Sequence, residues 1–389
     1  MAGKSSAAFR LLEERSSRPT ARTTRAEVDL EAVADNFKVV RSAAGGTAIY
    51  AVVKADAYGH GLVPVARRLE QAGADGFCVA LAEEGFELRE AGIRAPVLVL
   101  NSAYGDEHQH VLRAKLTPVI FDAANAGAFW RAARGRPTGV HLKVDTGMSR
   151  LGVPPKELGR LLDKLERMPG LRIDGLMTHL SSADSSPEVT REQIARFLEA
   201  RDLLARRGHR PGVLHAANSA ATLAFPEARF DLVRPGIALY GCCPLPELDA
   251  GLKPALRLVS DIISLRRVPA GTGVGYNQTH VTEGESLIAT VAIGYGDALM
   301  RASSNRGFML VRGKRCPIVG NVSMDLTTLD VSGVEGCSVG DEAVLIGEQQ
   351  GERLTAEDLA RACNTIVYEV LTGISPRVPR FYSRESLYP

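Results

Sequence analysis

The chain has 389 residues, 45% of them hydrophobic, which is too many for one core and enough to bury two. A formal net charge of +2, with no basic stripe, argues against nucleic acid or an anionic membrane as the main partner. No apolar run reaches the roughly 18 residues that a membrane span requires.

Six cysteines (Cys78, Cys242, Cys243, Cys316, Cys337, Cys363) are scattered without a CxxC pair, as expected of reduced thiols in a cytoplasmic protein. Residues 1–24 are rich in Ser, Ala and Arg. Glu13, Glu14 and the missing apolar segment count against an export signal, so a flexible tail with one helical turn over Phe9–Glu14 is predicted.

From Thr23 onward, strand-like apolar runs alternate with amphipathic ones. RAEVDL predicts a first strand over residues 25–30, and LEAVADNFKVVRSAA a first helix. Then IYAVVKA leads to LVPVARRLEQAG, GFCVAL to AEEGFELREAG, PVLVLN to DEHQHVLRAK, and LTPVIF to ANAGAFWRAARG. VHLKVDT precedes KELGRLLDKLERM, IDGLMTHL precedes TREQIARFLEARDLLARRG, VLHAANS precedes SAATLAFPEA, and FDLVRPGIALYG closes the series. Eight such strands in about 200 residues, most followed by a helix, predict an α/β fold built on a (β/α)8 TIM-type barrel. After Pro244 short strands are separated by Gly, Pro and Asn, with one helix predicted in TAEDLARACNTIVYEVL. The barrel is therefore expected over residues 25–245 and a mainly β domain over 246–389, the first strand being free to pack with the second domain.

The stretch IYAVVKADAYGHG puts Lys54 at the mouth of a buried strand. A half-desolvated amine has a lowered pKa and a neutral fraction, which condensation with an aldehyde requires. A lysine that snorkels to water is the plainer reading of this stretch alone.

In a barrel, functional groups collect at the carboxyl ends of the strands. There the sequence places Lys54 and Tyr58, then Lys143, Asp145 and Arg150, then His179, then His215, Asn218 and Ser219. Arg234, with Pro235 and Gly236, is expected inside the last strand. The Ser219 hydroxyl and the Gly236 and Ile237 amides suit a phosphate dianion after strands seven and eight. Each His or Ser taken singly reads as a satisfied core group. Convergence with a lysine and two arginines on one face points to function.

AVVKADAYGHG, HLKVDTGMSRLG, HAANSAATL, LVRPGIALYG, VGYNQT, AIGYGDA, GNVSMD and RVPR occur in the order seen in alanine racemases. The chain resembles that family, fold-type III enzymes dependent on pyridoxal 5′-phosphate, over roughly Arg25 to Tyr382. The resemblance implies that Lys54 forms the Schiff base with the cofactor and serves as base on one face of the substrate carbon. It implies that Tyr276 is the base on the other face, reaching the site from the partner in a head-to-tail homodimer. Arg234 resembles the partner of the pyridine nitrogen, and Arg150 the group that steers the substrate carboxylate and the cofactor's phenolic oxygen. Lys143 resembles a lysine carbamylated in many members. His179 and His215 resemble members of a hydrogen-bond network around Arg234 and Tyr276.

By the same resemblance Tyr58, Asn218 and Ser219, with the Gly236 and Ile237 amides, hold the cofactor. Met324 offers an N–H to the substrate carboxylate, and Asp325 and Tyr295 line its approach. D-alanine for peptidoglycan is the implied product.

Two positions depart from the family. Pro376 stands where some members place a tyrosine that touches the phosphate and crowds the substrate side chain, so some activity on serine is expected. Asn277 follows Tyr276 where glycine is common.

Two other readings compete. A metal-dependent hydrolase would use Lys143, His179 and His215, but it also needs HxH on the first strand and an aspartate on the eighth, where Lys54 and Arg234 stand. A PLP-dependent decarboxylase of basic amino acids shares barrel and β domain, but its glycine-triplet phosphate loop and its cysteine–acid motif are missing from this sequence.

Overall fold

The computed structural model describes residues 22–245 and 247–383. Of the expected tail, residues 1–21, with the helical turn at 9–14, lie outside them. The described residues divide into two compact units: one comprises Val33–Ala57 and Leu62–Lys253, the other residues 22–32, Tyr58–Gly61 and 254–383.

Strand β1 (Arg25–Asp29) leads directly into the helix Leu30–Ala44. The first unit contains β2 (Ala48–Val52), β3 (Gly76–Val79), β4 (Val97–Val99), β5 (Thr117–Ile120), β6 (Thr138–Lys143), β7 (Leu171–Met177), β8 (Val213–His215) and β9 (Leu232–Val233). All neighbours are parallel, in the order β8-β7-β6-β5-β4-β3-β2-β9. Backbone bonds from Asp231 N to Leu214 O (3.1 Å) and from Arg234 N to Ala217 O (2.9 Å) draw the two ends of the series together. The result is an eight-stranded, nearly closed barrel, as the repeating grammar of the sequence predicts. Strands β3 and β4 are buried at every residue, which is why GFCV and VLV carry no polar alternation.

The second unit is mainly β. Its strands are β10 (Leu256–Val268), β11 (Gly273–Val274), β12 (His280–Val281), β13 (Ser286–Val291), β14 (Phe308–Val311), β15 (Lys314–Pro317), β16 (Thr327–Asp330), β17 (Glu342–Gln349), β18 (Glu352–Leu354) and β19 (Arg380–Ser383). Long β10 is the spine, paired antiparallel with β1, β13 and β17. Strand β1 also pairs in parallel with β19.

Three details differ from the sequence reading. The last barrel strand stops at Val233, so Arg234 stands at its end rather than inside it; Pro235, which has no N–H, cannot extend the ladder. The helix predicted across 355–371 is two, Ala356–Cys363 and Val367–Thr372, because Asn364 takes the left-handed conformation (φ 54°, ψ 49°) that ends a helix. Finally, Ala55, Asp56 and Ala57 after Lys54 form a left-handed turn, with φ of 52–54° continuing into Tyr58 at 54°.

Candidate active site

Each left-handed L-residue costs roughly 1–2 kcal/mol, so the turn after Lys54 needs support. Ala57 N–H donates to Val53 O at 2.9 Å, Leu62 N–H to Asp56 Oδ1 at 2.8 Å, and Ala55 N–H to Glu84 Oε1 at 2.5 Å. Glu84 also accepts from Ala80 and Leu81, so one carboxylate ties the turn to the end of β3. Lys54 is thereby presented just past β2, half-buried. Burial first, and then the Arg150 charge, pull its amine below the usual lysine range, opposed by Glu84 and Cys78.

Lys143 is the last residue of β6 and is buried. Desolvation, reinforced by Arg234, Arg150 and Lys54, brings its amine down to about 8. The acid that opposes this, Asp145, is occupied otherwise: its Oδ1 accepts from the amides of Gly147, Met148 and Ser149 at 3.0, 2.8 and 3.1 Å. Those bonds, with Asp145 N to Val153 O at 3.0 Å, close the loop that carries exposed Arg150. Gly152 permits the closure, because a Cβ there would stand 2.5 Å from Asp145 N. Among the described residues neither Arg150 nor Lys143 forms an ion pair with a carboxylate.

Arg234 is buried at the end of β9, and removal from water lowers its pKa to about 10, so it stays a cation at neutral pH. Its NH1 donates to His215 Nδ1 at 2.7 Å and its NH2 to Thr178 O and Ala216 O at 2.7 and 3.2 Å. Its Nε–H has no partner among the described residues. Since guanidinium only donates, His215 Nδ1 accepts, and the ring proton sits on Nε2. That proton faces His141 Nδ1 at 2.8 Å, so His141 carries its own on Nε2. Both rings are neutral: burial holds His215 well below its ordinary range, and burial brings His141 to about 4. His179 is also held well below, by desolvation and then by Arg234, Lys143, Arg150 and Lys54. Its backbone is braced by Gln193, whose Nε2 donates to His179 O and to Thr146 Oγ1, both at 3.3 Å.

The segments expected to cradle a phosphate meet at Ser219. Gly236 N and Ala238 N donate to Ser219 Oγ at 2.8 and 3.3 Å, so Ala238 joins Gly236 in aiming an amide there. Asn218 Oδ1 caps the helix Ser219–Ala224 through Ala221 N at 3.0 Å.

His141 escaped the sequence reading. Its signal is the strand period: residue 141 shares a face with Lys143. A register shift at Val140–His141 re-aims the ring, and Gly175 across the ladder makes room, since a Cβ there would lie 2.6 Å from it.

The remaining candidates belong to the second unit. Tyr276 opens a short turn between β11 and β12 and is 71% exposed, with Asn321 Nδ2 donating to its backbone O at 2.8 Å. Asn277 has φ 59°, a region that asparagine and glycine share, which explains why asparagine serves where glycine is common. Tyr295 and Met324 are also exposed, and their segments are joined: Tyr295 N donates to Ser323 O and Gly296 N to Met324 O. Asp325 Oδ1 pairs with Arg377 NH2 at 2.5 Å. The Tyr58 ring packs 6.0 Å from that of Tyr368. Pro376 is exposed between Ser375 and Arg377.

Comparison with known proteins converges on one family. The model of the alanine racemase N-terminal domain matches residues 28–244, and that of the C-terminal domain residues 255–382. An alanine racemase of Sorangium cellulosum is 48% identical over 376 residues, covering 93% of this chain and 99% of that protein. The crystal structure of alanine racemase from D-cycloserine-producing Streptomyces lavendulae superposes with a TM-score of 0.90 at 37% identity, covering 94% of this chain and 98% of the other. The alanine racemase of Bartonella henselae, with covalently bound pyridoxal phosphate, gives 0.86 at 31% identity, covering 93% and 99%.

Proposed function

The chain belongs to the alanine racemase family, isomerases that interconvert L- and D-alanine, and on that premise we propose that Lys54 and Tyr276 are its two bases, acting with pyridoxal 5′-phosphate. The observation that carries this reading is the half-buried Lys54 amine, lowered by burial and by Arg150 at a barrel end rich in unneutralised cations. The residues present fit the cofactor. Lys143, Arg150, Arg234 and Lys54 favour an anionic group, the Gly236 and Ala238 amides fix the Ser219 oxygen so that its O–H can donate, and Arg234 keeps one N–H unspent. When bound, the cofactor supplies an aldehyde for the Lys54 amine and an electron sink that loosens the substrate's Cα proton.

Lys54 Nζ removes or returns that proton on one face, and the partner subunit's Tyr276 does so on the other. Exposure of Tyr276, Tyr295 and Met324 supports a second copy of the chain as their cover, in a head-to-tail homodimer. Arg234 would hold the ring nitrogen and keep its own proton, because neutral His215 and the Thr178 and Ala216 carbonyls accept its other hydrogen bonds and no carboxylate among the described residues pairs with it. An arginine there, which only donates, would leave that nitrogen unprotonated and so would suit return of the proton over loss of carbon dioxide or transfer of the amino group. Arg150 steers the substrate carboxylate, and carbamylated Lys143 gives it an anionic partner; an amine near 8 has the neutral fraction that capture of carbon dioxide requires. His179, Asn218, Ser219, Tyr58 and the Gly236 and Ile237 amides complete the cofactor site. Met324, Asp325 and Tyr295 complete the substrate site.

Six cysteines, none of them in a disulfide, accord with a reducing cytoplasm, where the product would feed peptidoglycan. The test is incubation with L-alanine and with D-alanine in deuterated water, following Cα exchange and optical rotation. Wild type exchanges and racemises both. Tyr276→Phe should retain exchange from one enantiomer far better than from the other; equal loss from both removes the two-base assignment.

A further inference from the structure

In the second unit, the turn Gly294–Ala298 and the loop Ser323–Asp325 are built against each other. Tyr295 N donates to Ser323 O at 3.0 Å and Gly296 N to Met324 O at 2.8 Å. Both glycines are needed for that approach: a Cβ on Gly294 would lie 2.3 Å from Ser323 O, and one on Gly296 3.0 Å from Met324 O. The turn is held by Asp297, whose side chain is fully buried. Gly294 N donates to Asp297 Oδ2 at 3.1 Å, and the guanidinium fork of Arg22 grips both oxygens, at 2.6 and 2.7 Å. Arg377 stands on the other side, with Nε 3.5 Å from Asp297 Oδ1 and NH2 2.5 Å from Asp325 Oδ1. Two residues on from Arg22, Thr24 is fixed by Ala292 O at 2.5 Å and Ser260 Oγ at 2.9 Å. Arginine and aspartate thus alternate from residue 22, far upstream in sequence, to the loop that bears Met324.

We propose that Arg22 is a positioning residue for the substrate. Its bidentate grip on Asp297 sets the Gly294–Ala298 turn and, through it, the Met324 amide and the Asp325 carboxylate. This rests on the reading that Met324 and Asp325 meet the substrate. A planar fork satisfies both oxygens of a buried carboxylate at once, and a lysine ammonium does not. Loss of Arg22 leaves the buried Asp297 with the Gly294 amide and with Arg377, whose Nε stands at 3.5 Å, so the carboxylate is no longer held on both oxygens and its grip on the turn slackens. The loop then loses its register while the chemistry at Lys54 is untouched.

The experiment compares wild-type, Arg22→Lys and Arg22→Ala holoenzymes with L-alanine. For Arg22→Ala, KM is expected to rise about 10-fold or more and kcat to change less than about 3-fold, with Arg22→Lys between. The visible spectrum of the bound cofactor stays as in wild type. Guanidinium ion added at millimolar concentration lowers the KM of Arg22→Ala, and methylammonium does not. An unchanged KM in Arg22→Ala overturns the proposal, as does a fall in kcat alone. If Arg22→Ala fails to fold, an unchanged KM in Arg22→Lys overturns it equally. The underlying reading fails separately: a KM indifferent to Asp325→Asn would remove the substrate role of this loop, whatever Arg22 does.

Discussion

At the carboxyl end of the barrel Lys143 and Arg234 are buried beside half-buried Lys54, and their chemistry is set by desolvation and by one another. At the β11–β12 turn a single phenol, Tyr276, stands 71% exposed on a left-handed kink, with its own unit shaping only its backbone. One region is finished within a single unit. The other leaves its aromatic side chain uncovered, as the proposed role in a partner's site would require. Asymmetric provision of this kind suits a reaction in which two proton carriers must approach one carbon from opposite sides.

The contrast can be broken at either end. The largest effect is expected from Lys54→Ala, which removes the amine proposed both to hold the cofactor and to move a proton. Racemisation should fall by about 10⁴-fold or more, and the absorbance of the lysine-bound cofactor should vanish. Tyr276→Phe should cost about 10³-fold in Cα exchange from the enantiomer whose proton Tyr276 would remove, with exchange from the other enantiomer far less affected. Equal effects at the two residues and in both directions would erase the distinction between the regions.

Lys143 sharpens the comparison through pH. Its folded pKa of about 8 lies below the unfolded value of 10.5, so folding penalises the protonated amine. That penalty, about 3 kcal/mol, is fully present below pH 8 and fades as pH rises through 8 towards 10.5. In protein freed of carbon dioxide, Lys143→Met should therefore melt higher than wild type at pH 7, and the gain should shrink to nothing near pH 10.5. Labelled bicarbonate should restore the wild type by adding a carbamate carbon visible by NMR.

Smaller effects are expected in the second unit. Pro376→Tyr should raise the preference for alanine over serine roughly 10-fold in kcat/KM. A ratio no lower for the natural proline than for the tyrosine removes that inference. At the kink itself, Asn277→Gly should change stability by less than about 0.5 kcal/mol, and Asn277→Val should cost about 1 kcal/mol or more, read from thermal melts.

Much of this architecture is written locally. GFCV and VLV are uninterrupted because both faces are covered, and the helix Leu30–Ala44 spans the stretch that its amphipathic run marks. Lys54, Lys143, His179, His215 and Arg234 could be placed because the barrel turns a position in the sequence into a position on one rim. His141 was legible in principle from its spacing to Lys143, but its aim depends on a bulge and on Gly175 across the ladder. The left-handed turn after Lys54 was not legible, since alanine, aspartate, alanine and tyrosine do not ask for that conformation. It is imposed by Glu84, Asp56 and the neighbouring backbone. The Arg22–Asp297 pair joins residues 275 apart and has no local signature at all.

That turn has a stereochemical corollary. Ala55 and Ala57 occupy backbone angles that are strained for the L-amino acids they are and relaxed for their mirror images. A semisynthetic chain carrying D-alanine at those two sites should hold its lysine as well as the natural one, or better. A protein from a family that makes D-alanine thus bends its own chain, beside the working amine, into the shape its product prefers.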